Sequence, residues 1–320
     1  MHFLLILLPV FGIFVTGFIA QKTLKFDIAG LSKMSLYILS PFLAFKTFYN
    51  HPLTSAYVYY AFYVLALCVG LIILVYLWSA FCHYKNQDNC ALILASCFMN
   101  NGNYGTPVIL VFFGSAGFDI AVILMVLQQF IMSTIGTYYA AKGSSDVDGI
   151  SQNTVLKKVL RMPIIYGALF GLIFQLLHIP LSKEIMLAVG MIGDSSIPVI
   201  MLILGMQLAT LHIRQIETAK ISLALVIRLL ISPLWAMLLV YFMPIDLMAK
   251  KVLIVLAAMP TAANTTLLAV QFNTRPQLVS TATFISTVLS LITLPVVLML
   301  VQPGYAFINN INKILTNASG

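Results

Sequence analysis

The stretch Asn100-Asn101-Gly102-Asn103-Tyr104-Gly105-Thr106-Pro107 interrupts an apolar run that begins near Ala91 and resumes at Val108-Ile109-Leu110-Val111-Phe112-Phe113. Its three carboxamides offer donors and acceptors without net charge, and its two glycines and proline do not favour a continuous helix. Hydrocarbon holds no water to bond free N–H and C=O groups, so an unwound segment persists there only where it lines a cavity or packs against protein. The chemistry on offer is recognition of a ligand.

A second interruption, Met259-Pro260-Thr261-Ala262-Ala263-Asn264-Thr265-Thr266, falls in a later apolar run. Pro41 and Pro198 are 157 residues apart, and the same shift carries Asn103 to Pro260 and Pro107 to Asn264, which gives the two interruptions matching positions. Each break leaves free N–H groups at the start of the following half-helix and free C=O groups at the end of the preceding one; anions favour the first and cations the second. Pro107 suits the first turn of its half-helix, and Gly102 and Gly105 are expected to supply irregular backbone angles. Pro260 opens the second break, with Asn264, Thr265 and Thr266 as side-chain partners. A lone break of this kind is also explained by a kink filled by its neighbours, whereas a matched pair points to a midplane binding site in a carrier.

Asp194 is the carboxylate set deepest in an apolar run, and Arg228 is its basic counterpart. A charge there is expensive, which makes Asp194 a candidate proton carrier and Arg228 a candidate anchor for an anionic substrate. A structural ion pair, or an arginine snorkelling to the cytoplasmic face, accounts for the same two residues. Gln128 brings polarity to the fifth run and reads as a cavity residue, while Ser133, Thr134 and Thr137 read as interhelical hydrogen-bond formers.

The elements that must position these groups are membrane helices. Of 320 residues 61% are hydrophobic and only 8% charged, against roughly 25% charged in soluble domains. The apolar runs fall at about 3–21, 31–48, 54–82, 89–113, 117–141, 162–178, 184–210, 218–242, 249–271 and 277–302. Each is of the length that crosses a bilayer as helix, and none has the alternation of a barrel strand. The expected architecture is an all-α polytopic membrane protein of ten transmembrane helices, with the first run kept as a span because no basic residue precedes it. Lys22, Lys25, Lys33, Lys85, Lys142, Lys157, Lys158, Arg161, Arg214, Lys220 and Arg275 lie in odd-numbered connections, against Lys183, Lys250, Lys251 and Lys313 in the even connections and the tail; Lys46 and Arg228 fall inside spans. That bias places the odd connections in the cytoplasm and both termini outside. The polar connection at 143–161 separates a first five-helix repeat, 1–142, from a second, 162–302, followed by a short extracytoplasmic tail, 303–320. An odd number of spans per half makes the halves inverted.

Function classes fall away in turn. The net charge of +8 is scattered through short loops, which argues against a nucleic-acid surface. Cys68, Cys82, Cys90 and Cys97 form no CxxC pair, and His2, His51, His83, His178 and His212 have no metal-ligand spacing. No P-loop, dinucleotide fingerprint or nucleophile elbow is present, so no catalytic residue, no metal and no enzyme is expected.

With the breaks in view, the sequence resembles the auxin efflux carrier family of permeases, in its bacterial-type form; the family includes plant auxin exporters and bacterial carriers assigned to malate or malonate. The likeness rests on Leu8-Pro9-Val10-Phe11-Gly12-Ile13-Phe14-Val15-Thr16-Gly17, on Leu36-Tyr37-Ile38-Leu39-Ser40-Pro41-Phe42-Leu43, and on Asn100, Gly102, Gly105 and Pro107 as N-x-G-x-x-G-x-P. Arg228, Pro233 and Thr287-Val288-Leu289-Ser290-Leu291-Ile292-Thr293-Leu294-Pro295 extend it. The resemblance implies two inverted five-helix repeats, as in bile-acid symporters and some sodium/proton antiporters, with helices four and nine broken and crossing. It implies that spans one, two, six and seven form a scaffold and that spans three to five and eight to ten form the core transport domain. Substrate would sit beside the crossover, at Asn100, Pro107, Pro260 and Asn264. Asn264 suits the bacterial relatives better than the plant ones, and the connection at 143–161 lacks the long loop of many plant exporters, so auxin itself is a poor candidate.

The sequence therefore predicts a secondary active transporter of a small organic anion, a carboxylate in particular, working by alternating access with elevator-like core movement. Asn100, Asn101, Gly102, Asn103, Gly105, Pro107, Pro260, Asn264, Thr265 and Gln128 form the expected substrate site, with Asp194 and Arg228 as coupling or charge residues. No cofactor is expected, and H+ or Na+ is the coupling ion to consider. The partners are the anion, the lipid bilayer and, as an option, a second copy in a homodimer. The expected location is the cell (inner) membrane. An anion channel or a membrane-bound ligand sensor with the same midplane cavity is the alternative.

Overall fold

The computed structural model describes residues 2–51, 54–144, 163–210 and 217–301. Most of the expected linker, from 145 onward, lies outside them, as do the tail at 303–320 and Lys157, Lys158, Arg161, His212, Arg214 and Lys313.

Long apolar sequences without polar-apolar alternation close their backbone hydrogen bonds within themselves, and the described chain is helical throughout. In order it runs α1 (His2–Leu24), α2 (Ile28–Asn50), α3 (Ala56–Phe81), α4 (Asn86–Ser96), α5 (Asn101–Lys142), α6 (Pro163–Leu176), α7 (Lys183–Thr210), α8 (Thr218–Tyr241), α9 (Leu247–Ala257), α10 (Ala263–Gln271) and α11 (Pro276–Val301). Six of them, α2, α3, α5, α7, α8 and α11, are long and apolar enough to cross a membrane, so the chain is polytopic. The 42-residue α5 is interrupted at Gly114, whose φ of 70° and ψ of −164° are open to glycine and costly for other residues.

Prolines set the irregularities that matter. A helical proline lacks an N–H and clashes with the carbonyl four residues back, which widens the preceding turn. Ser40-Pro41, Thr106-Pro107 and Ser232-Pro233 each follow a π-helical turn, at Ser35–Leu39, Asn101–Gly105 and Ile227–Ile231. In each, the residue before the proline donates its N–H five residues back, to Ser35, Asn101 and Ile227 respectively. Thr106 also gives its hydroxyl to the Gly102 carbonyl at 2.7 Å, satisfying a group that the widened turn frees. Pro198 and Pro295 follow Ile197 and Leu294 and sit inside α7 and α11 without such a turn.

Small residues bring two sets of helices together. Gly17 and Gly205 seat α1 against α7, and Gly167 and Gly171 seat α6 against α2; a Cβ at Gly171 would fall 2.6 Å from the Phe45 carbonyl oxygen. Gly193 lies against Leu43, a Cβ there meeting its backbone at 3.0 Å, which joins α7 to α2. This is the small-residue packing that lets membrane helices approach backbone to backbone. The second set, α3, α4, α5 and α8 to α11, encloses α4 and α9, whose residues Cys90–Ala95 and Val252–Ala257 are buried on every side. A helix that is apolar all round belongs in such a position. At one end of this set Asp88 holds Lys220 at 2.9 Å and Arg275 at 3.4 Å, and Glu217 pairs with the same two cations, tying the starts of α4 and α8 to the connection before α11. α5 packs against both sets.

Candidate functional site

α4 stops at Ser96 and the chain turns helical again at Asn101; α9 stops at Ala257 and resumes at Ala263. The two gaps meet. Met99 and Thr261 form an antiparallel bridge, in which Asn100 donates its N–H to the Pro260 carbonyl at 2.9 Å and Ala262 donates to Phe98 at 3.0 Å. Each break thus supplies partners for backbone groups that neither helix can satisfy alone, the condition for non-helical chain at membrane depth. Thr261 secures the pairing by donating its hydroxyl to Ala95 at 2.5 Å and its N–H to Ser286 of α11 at 3.1 Å.

The gaps sit a few residues away from their expected places. The polar octapeptide does not form the break but begins the half-helix after it, with Asn100 as its N-cap. Gly102 and Gly105 do not supply irregular angles, since the positive-φ glycine of the described chain is Gly114. They supply closeness instead. A Cβ on Gly105 would lie 2.6 Å from Leu256 Cδ2 and 3.3 Å from Met259 Cγ, and one on Gly102 would lie 3.3 Å from Met125 Sδ. Pro107 is in the first α-helical turn after the π turn, as expected, and Pro260 contributes its carbonyl to the bridge. The matching ends, Ser96 with Ala257 and Asn101 with Ala263, are 161 and 162 residues apart, not 157.

Beside the bridge lies a cavity of about 120 Å³, several times the ~10–15 Å³ that one water needs. One wall is Asn100, Asn101, Gly102 and Asn103 at the start of α5, with Ala262 and Asn264 at the start of α10 and Gln128 and Gln129 further along α5. The rest is apolar or weakly polar: Met99, Met125 and Met132, then Leu36, Tyr37 and Ser40 of α2, Pro163 and Ile164 of α6, and Ile200 of α7. The cavity therefore lies where the two helix sets face each other.

Donors dominate its polar groups. Within α5 the first-turn N–H groups are largely engaged: Asn103 donates to Asn100 Oδ1 at 3.3 Å, and Tyr104 and Gly105 donate to the Asn100 carbonyl. Three of the side chains keep amide atoms that are not. Asn100 Nδ2, Gln128 Nε2 and both Nδ2 and Oδ1 of Asn101 are buried without a partner in the protein. Such groups cost stability unless something fills the space against them. No Lys, Arg, Asp or Glu is among the described lining residues.

The other expected site residues are elsewhere. Thr265 turns its hydroxyl back to the Ala262 carbonyl at 2.7 Å, inside the first turn of α10. Asp194 is half exposed and pairs with Lys46 at 2.7 Å, in a shallow groove between α2 and α7 that also holds Tyr49 and Lys183. It is not beside Arg228. Arg228 is fully buried and spans the crossover: Nη1 donates to the Ser96 carbonyl at 3.2 Å, and Nη2 to the Ala257 carbonyl at 2.5 Å and to Ser232 Oγ, which itself donates to Ala257 at 2.9 Å. Those two carbonyls end α4 and α9.

Sequence reasoning missed Ser96, Ser232 and the methionine wall. The Ser232-Pro233 dipeptide was a usable signal for the widened turn that carries Arg228, but methionines on membrane helices read equally as lipid-facing.

The model of the family described as membrane transport protein matches residues 2–298. A protein of Methanothermobacter thermautotrophicus named as an uncharacterized transporter is 27% identical over 273 residues, 84% of this chain and 87% of its own length. A second uncharacterized transporter, from Methanocaldococcus jannaschii, is 27% identical over 213 residues, 65% of this chain and 67% of its own. With breaks that pair across two helices, a cavity of unpartnered amides beside them and a family match over nearly its whole length, the chain belongs to the membrane transport protein family, the auxin efflux carriers.

Proposed function

We propose that this transporter moves a small organic anion, a carboxylate in particular, by alternating access through the amide-lined cavity beside the crossover. The observation that carries the reading is the set of buried, unpartnered amides of Asn100, Asn101 and Gln128 around one space. Carboxylate oxygens accept hydrogen bonds from amide N–H groups, and the starts of α5 and α10 add the positive ends of two half-helices. Asn264, on the first turn of α10, completes the polar wall. The methionine and aliphatic residues opposite suit the carbon body of the anion.

Ten membrane crossings accommodate the helices. α5 is 42 residues long, and at 1.5 Å per residue that is about twice the ~30 Å hydrocarbon thickness. Its part before Gly114 joins α4 as one broken span and its part after forms the next; α9 and α10 form the other broken span. The two sets of helices then read as a scaffold of α1, α2, α6 and α7 and a mobile core, with substrate between them, and the equivalent breaks support inverted repeats. Elevator-like movement of the core past the scaffold would expose the cavity first to one side and then to the other.

Uptake and exchange by the purified protein in proteoliposomes, across a panel of mono- and dicarboxylates, tests the reading. Saturable transport of at least one anion, lost in Asn101→Leu and Gln128→Leu, is the expected result. No transport of any anion by wild type overturns it, and currents far beyond carrier turnover would indicate a channel.

A further inference from the structure

We infer that Arg228 fills, as a tethered cation, the position between the two half-helix C-termini that a coupling metal cation would take, so that the crossover binds no Na+ and transport does not draw on a Na+ gradient. The inference goes beyond the identity of the transported anion and does not depend on it.

The last turn of an α-helix presents carbonyl oxygens without N–H partners and carries about half a negative charge. Here α4 and α9 end next to each other at Ser96 and Ala257, so two such ends are directed into one buried spot. Converging backbone carbonyls at the C-terminal ends of broken helices are the oxygen ligands with which discontinuous-helix carriers hold a coupling ion. In this chain the spot contains a guanidinium. Arg228 donates to both terminal carbonyls, at 3.2 and 2.5 Å, and to Ser232 Oγ, and it is fully buried. One positive charge therefore opposes two half-charges, and the fork geometry of the guanidinium lets a single side chain serve both ends.

Departure of this cation is barred in two ways. A guanidinium does not release its proton in proteins, so it does not become a neutral group that a metal could displace. It is also covalently fixed to α8 at the π turn Ile227–Ile231, and α8 packs on α9 and α3, so Arg228 moves with the half-helices. Ser232, one turn on, gives its proton to Ala257 and accepts from Arg228, so its hydroxyl is already bonded to the guanidinium and to one of the two terminal carbonyls. Arg228 is in this sense a positioning residue: it holds the crossover, and its hydrogen bonds go to Ser96, Ser232 and Ala257, none of which lines the cavity.

The test uses the purified full-length protein and needs no substrate. Wild type is expected to show no saturable 22Na+ binding and the same Tm in NaCl as in choline chloride of equal ionic strength. Arg228→Ala removes one partner of a buried, hydrogen-bonded set and should lower Tm by about 10 °C. Millimolar guanidinium chloride should restore much of that loss, with choline chloride having no effect. Arg228→Lys keeps the charge, and should purify folded and remain indifferent to Na+. Saturable 22Na+ binding by wild type, or an Arg228→Ala protein that is destabilised yet unresponsive to guanidinium, overturns the inference. Where Arg228→Ala does not survive purification, neutral Arg228→Gln is compared with Arg228→Lys: a Gln variant as stable as the Lys variant also overturns it. Because these readouts involve no anion, they fail separately from the transport assay.

Discussion

Replacing Asn101 with leucine separates a binding amide from a structural one. Asn101 is 2% exposed, and neither its Nδ2 nor its Oδ1 has a partner in the protein. Leaving a buried amide unsatisfied costs about 1–3 kcal/mol, and a leucine of similar volume removes that cost. The ligand-free variant is therefore expected to be at least as stable as wild type, with Tm unchanged or a few degrees higher. Bound anion reverses the sign, because a hydrogen bond to a charged group is worth about 1.5–3 kcal/mol. Its loss weakens affinity by roughly 10- to 150-fold. The assay is a thermal shift on purified protein, first without ligand and then titrated with whichever carboxylate stabilises wild type most. Asn100 makes the contrast, since its Oδ1 also caps α5 through Asn103, and Asn100→Leu should lose stability as well as affinity. An Asn101→Leu protein whose ligand-free Tm falls by several degrees, with anion affinity intact, would falsify the assignment of this amide to the ligand. The ligand-free arm decides even where every anion tried is weak.

Three further outcomes follow from the geometry. Gly105→Ala puts a methyl 2.6 Å from Leu256 Cδ2, which is 1% exposed, and should lower stability by about 1–3 kcal/mol; the double variant with Leu256→Ala should recover part of the loss, and strict additivity in the cycle would contradict the contact. Gly114→Ala meets nothing within 4 Å, so its cost is conformational, about 1–3 kcal/mol, and trimming neighbours should leave its lowered Tm unchanged. Thr106→Val removes the hydroxyl that satisfies Gly102 and should cost about 1 kcal/mol while also weakening anion binding, although Thr106 does not line the cavity; unaltered affinity in the same titration would mean the π turn does not depend on that hydroxyl.

The long helices were legible because membrane thickness fixes the length of an apolar run: runs read at 184–210 and 277–302 appear as Lys183–Thr210 and Pro276–Val301. The breaks were legible only as neighbourhoods. The non-helical residues before α5 are Cys97, Phe98, Met99 and Asn100, which are mostly apolar, and nothing in their composition separates them from Ala91–Ser96. What interrupts the helix is the competing backbone partner, Pro260 in the other break, and a partner 160 residues away has no local signature. The polar residues marked the cavity wall, and the reading joined wall and break into one feature. Arg228 was visible as a buried charge but its role was not, because its main partners are backbone carbonyls, which every residue possesses. Asp194 and Lys46 were each noticeable inside an apolar run, and only the packing of α2 on α7 through Gly193 brings them together.

Helix-end charge explains how an anion could be favoured by a cavity that contains no cationic residue. At the crossover four half-helix ends come together, two negative and two positive, and without intervention their fields would largely cancel. Arg228 opposes the negative pair, since both terminal carbonyls accept hydrogen bonds from one guanidinium. The positive pair, at the starts of α5 and α10, faces the cavity with the amides of Asn100, Asn101 and Asn264. The net field in the cavity therefore favours negative charge, although the cation responsible bonds to no residue that lines it. A lysine within the cavity would hold an anion more strongly, but a carrier must also release it on the far side. Neutral amides backed by a buried, shared charge provide attraction without a direct ion pair to break. On this argument Arg228 contributes twice, by closing the crossover to metal cations and by leaving its other face electropositive.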